Sequence, residues 1–149
     1  MPGHYSYEQL FSVARQLRLS RADAIELYRR MVFNIIARNH DYHSKNTGFL
    51  LPEPNSHWQL SPAFDIAYSY KPGSPWVNSH QLSLNGKRDN FTRDDLLQAA
   101  TLIGNFNTEA KQIIQQQLSV ISQWPSYAER AGVFENFSRQ IKNNLRINI

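Results

Sequence analysis

"LYRRMVFNIIARNHDYHSKN", Leu27 to Asn46, changes character halfway along. Upstream of the break, Ile25, Tyr28, Val32, Ile35 and Ile36 form one apolar stripe at helical spacing. Ser20 followed by Asp23 predicts an N-cap with an acidic first turn, and the stripe ends near Ala37. Beyond it, "NHDYHSKN" (39–46) crowds two Asn, two His, an Asp and a Lys into a chain with only 19% charged residues. A turn needs one or two such groups, whereas a site for metal and phosphate needs several. The helix therefore delivers a polar loop at its C-terminal end.

Outward from this stretch, Leu10, Val13, Ala14 and Leu17 predict a helix over residues 6–18. On the other side, "TGFLL" (47–51) and "HWQLS" (57–61) flank "PEPNS" and read as a small β-hairpin, followed at once by "PAFD", ending at Asp65. Residues 70–80 hold two Pro and a Gly and are expected to be irregular, with a brief strand at "HQLSL" (80–84). Thr92 with Asp95 opens a helix to about Ile103. Thr108, or Asn107 before it, starts a longer helix that Pro125 terminates. "VFENFSRQIKNNLRI" predicts a last helix with Phe134, Phe137, Ile141 and Leu145 on one face. The sum is one mainly α domain over residues 1–149 with an inserted hairpin.

The composition, 41% hydrophobic and 12% aromatic, is that of a globular chain and excludes a disordered one. Sixteen Lys and Arg against twelve Asp and Glu leave a charge of +4, which suits anionic ligands such as nucleotides. The basic residues are dispersed, which predicts a solvated surface and no direct nucleic-acid partner, with Trp58, Trp76 and Trp124 as core. Without cysteine there are no disulfides and no thiolate metal sites, as fits a reducing cytosol. No apolar run approaches the ~18 residues of a membrane span, and "MPGHYSYEQLF" lacks the regions of a signal peptide. A soluble, cytoplasmic protein is expected.

A hairpin reverses the chain, so Asp65 can return close to the loop carrying Asp41 and Asn46. Hard cations that hold nucleotide phosphates take one or two carboxylate or amide oxygens, the phosphates completing the shell. A hydroxyl nucleophile needs a further carboxylate not consumed by the metal. Asp41, Asn46 and Asp65 supply both. The order and the five-residue step from Asp41 to Asn46 match the protein-kinase pattern of base Asp, metal Asn and later metal Asp. Zinc chemistry fits poorly, because His40 and His43 would share a face only on a continuing helix and His4, His57 and His80 are not spaced as ligands. No G-x-S-x-G elbow supports a serine hydrolase.

"N-x-D-x-H-x-K-N", read from Asn39, Asp41, His43, Lys45 and Asn46, together with "LSPAFD" at 60–65, resembles the HipA family. "LYRRMVFNII" and "GHYSYEQLF" look like that family's C-terminal region, and the resemblance is close over most of residues 3–85. These are bacterial serine/threonine kinases that act as toxins in toxin–antitoxin pairs. The resemblance implies an α+β family fold of which this chain is the helical C-terminal lobe, with ATP and Mg2+ as ligands. It implies that Asp41 accepts the substrate hydroxyl proton and that Asn46 and Asp65 hold the metal. His43, Lys45, Asn46, Phe64 and Asp65 fall in the family's ATP-contacting segments. His43 fits a loop brace equally well and Lys45 a solvated side chain, whereas packing is the favoured reading for Phe64 and shaping of the loop for Asn39. The implied partners are an N-terminal kinase lobe in cis or trans, a HipB-like antitoxin, and a protein substrate such as an aminoacyl-tRNA synthetase.

The six Gly stand at 3, 48, 73, 86, 104 and 132, and none belongs to a Gly-rich phosphate loop. No strand-borne Lys of the V-A-I-K kind precedes Asp41. The expectation is a C-terminal lobe alone, whose missing half would lie before residue 1 or on another chain. Phosphoryl transfer depends largely on positioning and charge neutralisation, so half a clamp is expected to be inactive. Ile66 and Ala67 follow Asp65 where common kinases have Phe-Gly, so control by flipping that Phe does not carry over. The alternative is a non-catalytic module that binds an antitoxin-like or half-kinase partner through its helical surface.

Overall fold

Ser20 caps the helix around which the rest is arranged, its Oγ accepting the Asp23 N–H at 3.1 Å. In the computed structural model, which describes residues 3–149, the helices before the polar loop are α1 (Tyr7–Gln16) and α2 (Arg21–Ile36). Leu27, Tyr28, Met31, Val32, Ile35 and Ile36 of α2 have no exposed surface. Each such side chain stabilises the fold by about 1.5–3 kcal/mol over its exposed form. So complete a burial needs partners on several sides. They are α1, α3 (Arg93–Ala100) and α4 (Asn107–Ile121). After them come α5 (Trp124–Arg130) and α6 (Glu135–Asn144), packed on each other.

The hairpin is shorter than its sequence suggests. Only β1 (Phe49–Leu50) and β2 (Gln59–Leu60) pair, antiparallel, with Phe49 opposite Leu60. Residues 51–58 carry Pro52 and Pro54, which cannot donate to a ladder, so the pairing stops there. Two residues of α2 hold this small element. Asp23 Oδ2 accepts the Leu60 N–H at 3.0 Å, and Arg30 Nη2 donates to the Ser61 carbonyl at 2.7 Å. Gly48 lets the strands close: a Cβ there would stand 2.8 Å from Ser61 Oγ.

Five expectations need correction. The segment 80–84 forms isolated bridges, Ser6 with Ser83 and Leu84 with Lys87, because Asn85 and Gly86 turn the chain at positive φ. The helix from Thr92 stops at Ala100. Pro125 begins α5 instead of ending α4: it sits in the first turn, where its missing N–H costs nothing. The stripe on α6 is divided, since Ile141 and Leu145 line a groove while Phe134 and Phe137 are 78% and 60% exposed. Trp76 (64% exposed) and Trp58 (38%) are surface residues, and Trp124 is partly buried with its indole N–H on the Ser138 carbonyl. Among the described residues no helix is long and apolar enough to cross a membrane. The mainly helical α+β class with its small hairpin stands.

Candidate active site

The polar loop hangs from an amide inside α2. Asn34 is completely buried, and an unbonded amide there would cost about 1–3 kcal/mol. Its Nδ2 donates to Tyr7 Oη at 3.3 Å, and its Oδ1 accepts from Asn39 Nδ2 at 2.9 Å. The Asn39 N–H bonds the Asn34 carbonyl, also at 2.9 Å. Arg38, in the left-handed region at φ 55°, makes the turn that brings Asn39 back over the helix end.

Asn39 then joins two loops that are distant in sequence. Its Nδ2 reaches the Asp65 carbonyl at 3.3 Å, and its Oδ1 accepts from Ser69 Oγ at 3.1 Å. Ser69 Oγ accepts the Asp41 N–H at 2.9 Å. The backbones of Asp41 and Asp65 are thus referred to one buried amide.

Asn46 closes a 3-10 turn, Ser44–Asn46, and is buried. Its Oδ1 accepts the His43 N–H at 3.0 Å, and its Nδ2 donates to Asp65 Oδ2 at 2.8 Å. Asp65 has a φ of 55°, where a non-glycine residue stores about 1–3 kcal/mol of strain. It is held there by Asn39 and Asn46 on one side and by the Arg30-anchored Ser61 upstream.

The geometry treats the sequence-derived residues unequally. Asn46 and Asp65 touch. Asp41 is exposed and is tied to them through its backbone and the Ser69–Asn39 link. Its carboxylate makes no hydrogen bond among the described residues, which leaves it open to an incoming hydroxyl. His43 is half-buried, and the brace at this position is its backbone N–H. Lys45 is exposed and forms no ion pair among the described residues. Phe64 is 45% exposed with its ring edge close to Gly48. Asp41, Phe64 and Asp65 therefore all face open surface. No cluster of three or more His, Cys, Asp or Glu able to hold a metal occurs among the described residues.

His40 points inward, away from its two neighbours in the motif. It is fully buried, its ring 4.0 Å from that of His80 and 4.8 Å from that of Tyr70, and neither nitrogen makes a hydrogen bond of normal geometry. Burial first, then the charges of Arg146 and Arg38, push its pKa down to about 4, against the pull of Asp89 and the Val77 backbone. His80 is likewise lowered, by burial and then by His40 and Arg146.

Sequence reasoning missed Asn34 and Ser69. The first had a visible signal, an amide inside the apolar run "MVFNII". The second had none, because Ser69 gains its role only when the chain after Asp65 folds back, its N–H on the Arg38 carbonyl at 3.1 Å.

The arrangement offers one carboxylate and one amide at contact distance, a second carboxylate nearby, and a buried amide scaffold. The family model described as the HipA-like C-terminal domain matches residues 2–124, which include the whole of it. Comparison with curated proteins and with solved structures gave no match. The chain belongs to the HipA-like C-terminal domain family.

Proposed function

We propose that this chain is the catalytic-loop lobe of a HipA-like serine/threonine kinase that moves the ATP γ-phosphate to a protein hydroxyl. The observation that carries the reading is the 2.8 Å contact between Asn46 Nδ2 and Asp65 Oδ2, with the Asp41 backbone held to the same amide network. The donor set fits Mg2+: a carboxylate and an amide are hard oxygen ligands, and a nucleotide's phosphates supply others. Asp65 Oδ1 accepts no hydrogen bond among the described residues, and the Asn46 carbonyl oxygen keeps a second lone pair beside its bond to His43. When bound, the ion neutralises charge on the phosphates.

The chain's own residues do the rest. Asp41 takes the proton of the acceptor hydroxyl on its unbonded carboxylate. Asn46 and Asp65 fix the phosphates relative to that carboxylate. Lys45, solvated in the chain alone, adds positive charge beside them. The exposure of Asp41 and Asp65 supports the need for a covering lobe, in cis or trans, that carries the phosphate loop and its Lys. The resemblance to HipA kinases supports a translation component such as an aminoacyl-tRNA synthetase as the proposed substrate and a HipB-like antitoxin as the proposed regulator.

The test is reconstitution. The chain mixed with, or fused to, a HipA-type N-terminal lobe should transfer 32P from ATP, and Asp41→Ala should abolish transfer. Normal turnover by that variant would remove Asp41 as base. Failure of every lobe pairing would favour a non-catalytic interaction module.

A further inference from the structure

Residues 125–149 lie beyond the segment matched by the family, yet their last turn is bonded to the base of the catalytic loop. Arg146 makes most of these bonds. Its backbone N–H donates to the Ile36 carbonyl at 2.9 Å, and its Nη1 donates to the Ile35 carbonyl at 2.7 Å. Both are among the last carbonyls of α2, which have no partner within the helix. The same Nη1 stands 3.0 Å from His80 Nε2, Nη2 pairs with Asp89, and the guanidinium lies over the Phe91 ring. An arginine has no acceptor, so His80 receives that bond on an unprotonated Nε2. Two residues beyond Ile36, Arg38 Nε donates to the carbonyl of Asn144, two residues before Arg146, and the Asn144 side chain donates to Tyr68 Oη at 3.1 Å.

The contacts continue from His80 to the motif. Its ring lies against that of His40, the residue before Asp41, at 4.0 Å and tilted by 34°, and Gln81 N–H bonds the His40 carbonyl at 2.9 Å. His40 is thus held by ring contact and through its backbone. We infer that Arg146 is a positioning residue for this site, fixing Asp41 through the end of α2 and through the His80–His40 ring contact. The inference takes the importance of Asp41 from the function proposed above. Its structural content is independent of that function.

Hydrogen exchange of the full chain, read by mass spectrometry, tests it. In Arg146→Leu, amides of residues 35–46, 65–70 and 80–81 should exchange about tenfold faster or more, with α1 and α3 unchanged. Arg146→Lys keeps the charge beside Asp89 and the backbone bond to Ile36 but cannot span the Ile35 carbonyl, His80 and Asp89 at once. It should give the same pattern more weakly, and it serves if the Leu variant does not fold. Uniformly faster exchange, or none, overturns the inference, since a residue that merely stabilises the fold would not single out these segments. Mn2+ titration with ADP on the wild-type chain reconstituted with an N-terminal lobe separates the two readings. Absence of binding counts against phosphotransfer, whereas a flat exchange pattern counts against Arg146 whatever the nucleotide does.

Discussion

Ser69 Oγ accepts the N–H of Asp41 at 2.9 Å and is the only side chain among the described residues to hold that backbone group. Its own proton goes to Asn39 Oδ1 at 3.1 Å. Ser69→Ala removes both bonds while leaving the Asp41 carboxylate in place. In the reconstituted kinase, kcat should fall about tenfold or more with KM for ATP little changed, because orientation of the base is lost and nucleotide binding is not. Ser69→Thr, which keeps the hydroxyl, should recover most of the rate.

Asp65→Asn keeps the size of the side chain and tolerates the left-handed backbone. Folding stability should change by no more than about 1 kcal/mol. Mn2+ binding in the presence of ADP, followed by water-proton relaxation, should be lost. Retained binding would place the ion elsewhere.

Gly48→Ala puts a methyl 2.8 Å from Ser61 Oγ and 3.2 Å from Ser61 Cβ. Ser61 is itself pinned by Arg30, so it has little room to retreat. Thermal unfolding should show a loss of about 1–3 kcal/mol. Adding Ser61→Gly should return part of that loss.

Acid should destabilise the fold in a window set by the buried imidazoles. His40, lowered from 6.5 to about 4, is neutral in the native state and protonates more readily when unfolded. Arg146, Arg38, Asp89 and His80 face it, the first two opposing its protonation. Stability is therefore fully present above pH 6.5 and drains away as pH falls toward 4, with His80 acting in the same direction. His40→Phe keeps an aromatic ring beside His80 and Tyr70 and removes one titrating group. Its unfolding midpoint should fall less steeply over this range.

Much of the fold was legible because α2 combines a capped start, an apolar stripe and an abrupt polar end. The hairpin was legible as a turn, though its prolines limited the pairing in a way that two apolar runs conceal. Pro125 shows the opposite error. A proline both stops one helix and suits the first turn of another, and only the packing of α5 on α6 decides between the two. At the site, Asn46 and Asp65 could be paired from spacing and chain reversal. Ser69, Arg146 and the inward turn of His40 could not, since each depends on contacts between residues 28 to 111 positions apart. Such contacts leave no local pattern.

Different stretches of α2 hold different arms of the site: Asp23 and Arg30 grip the strand that leads to Asp65, and Ile36 opens into the loop that carries Asp41. If this helix tilts when a second lobe closes, base and ion ligands travel with it as a single rigid lever. Swings of the whole lobe would then leave the spacing between them intact, and adjustment would fall to the incoming nucleotide.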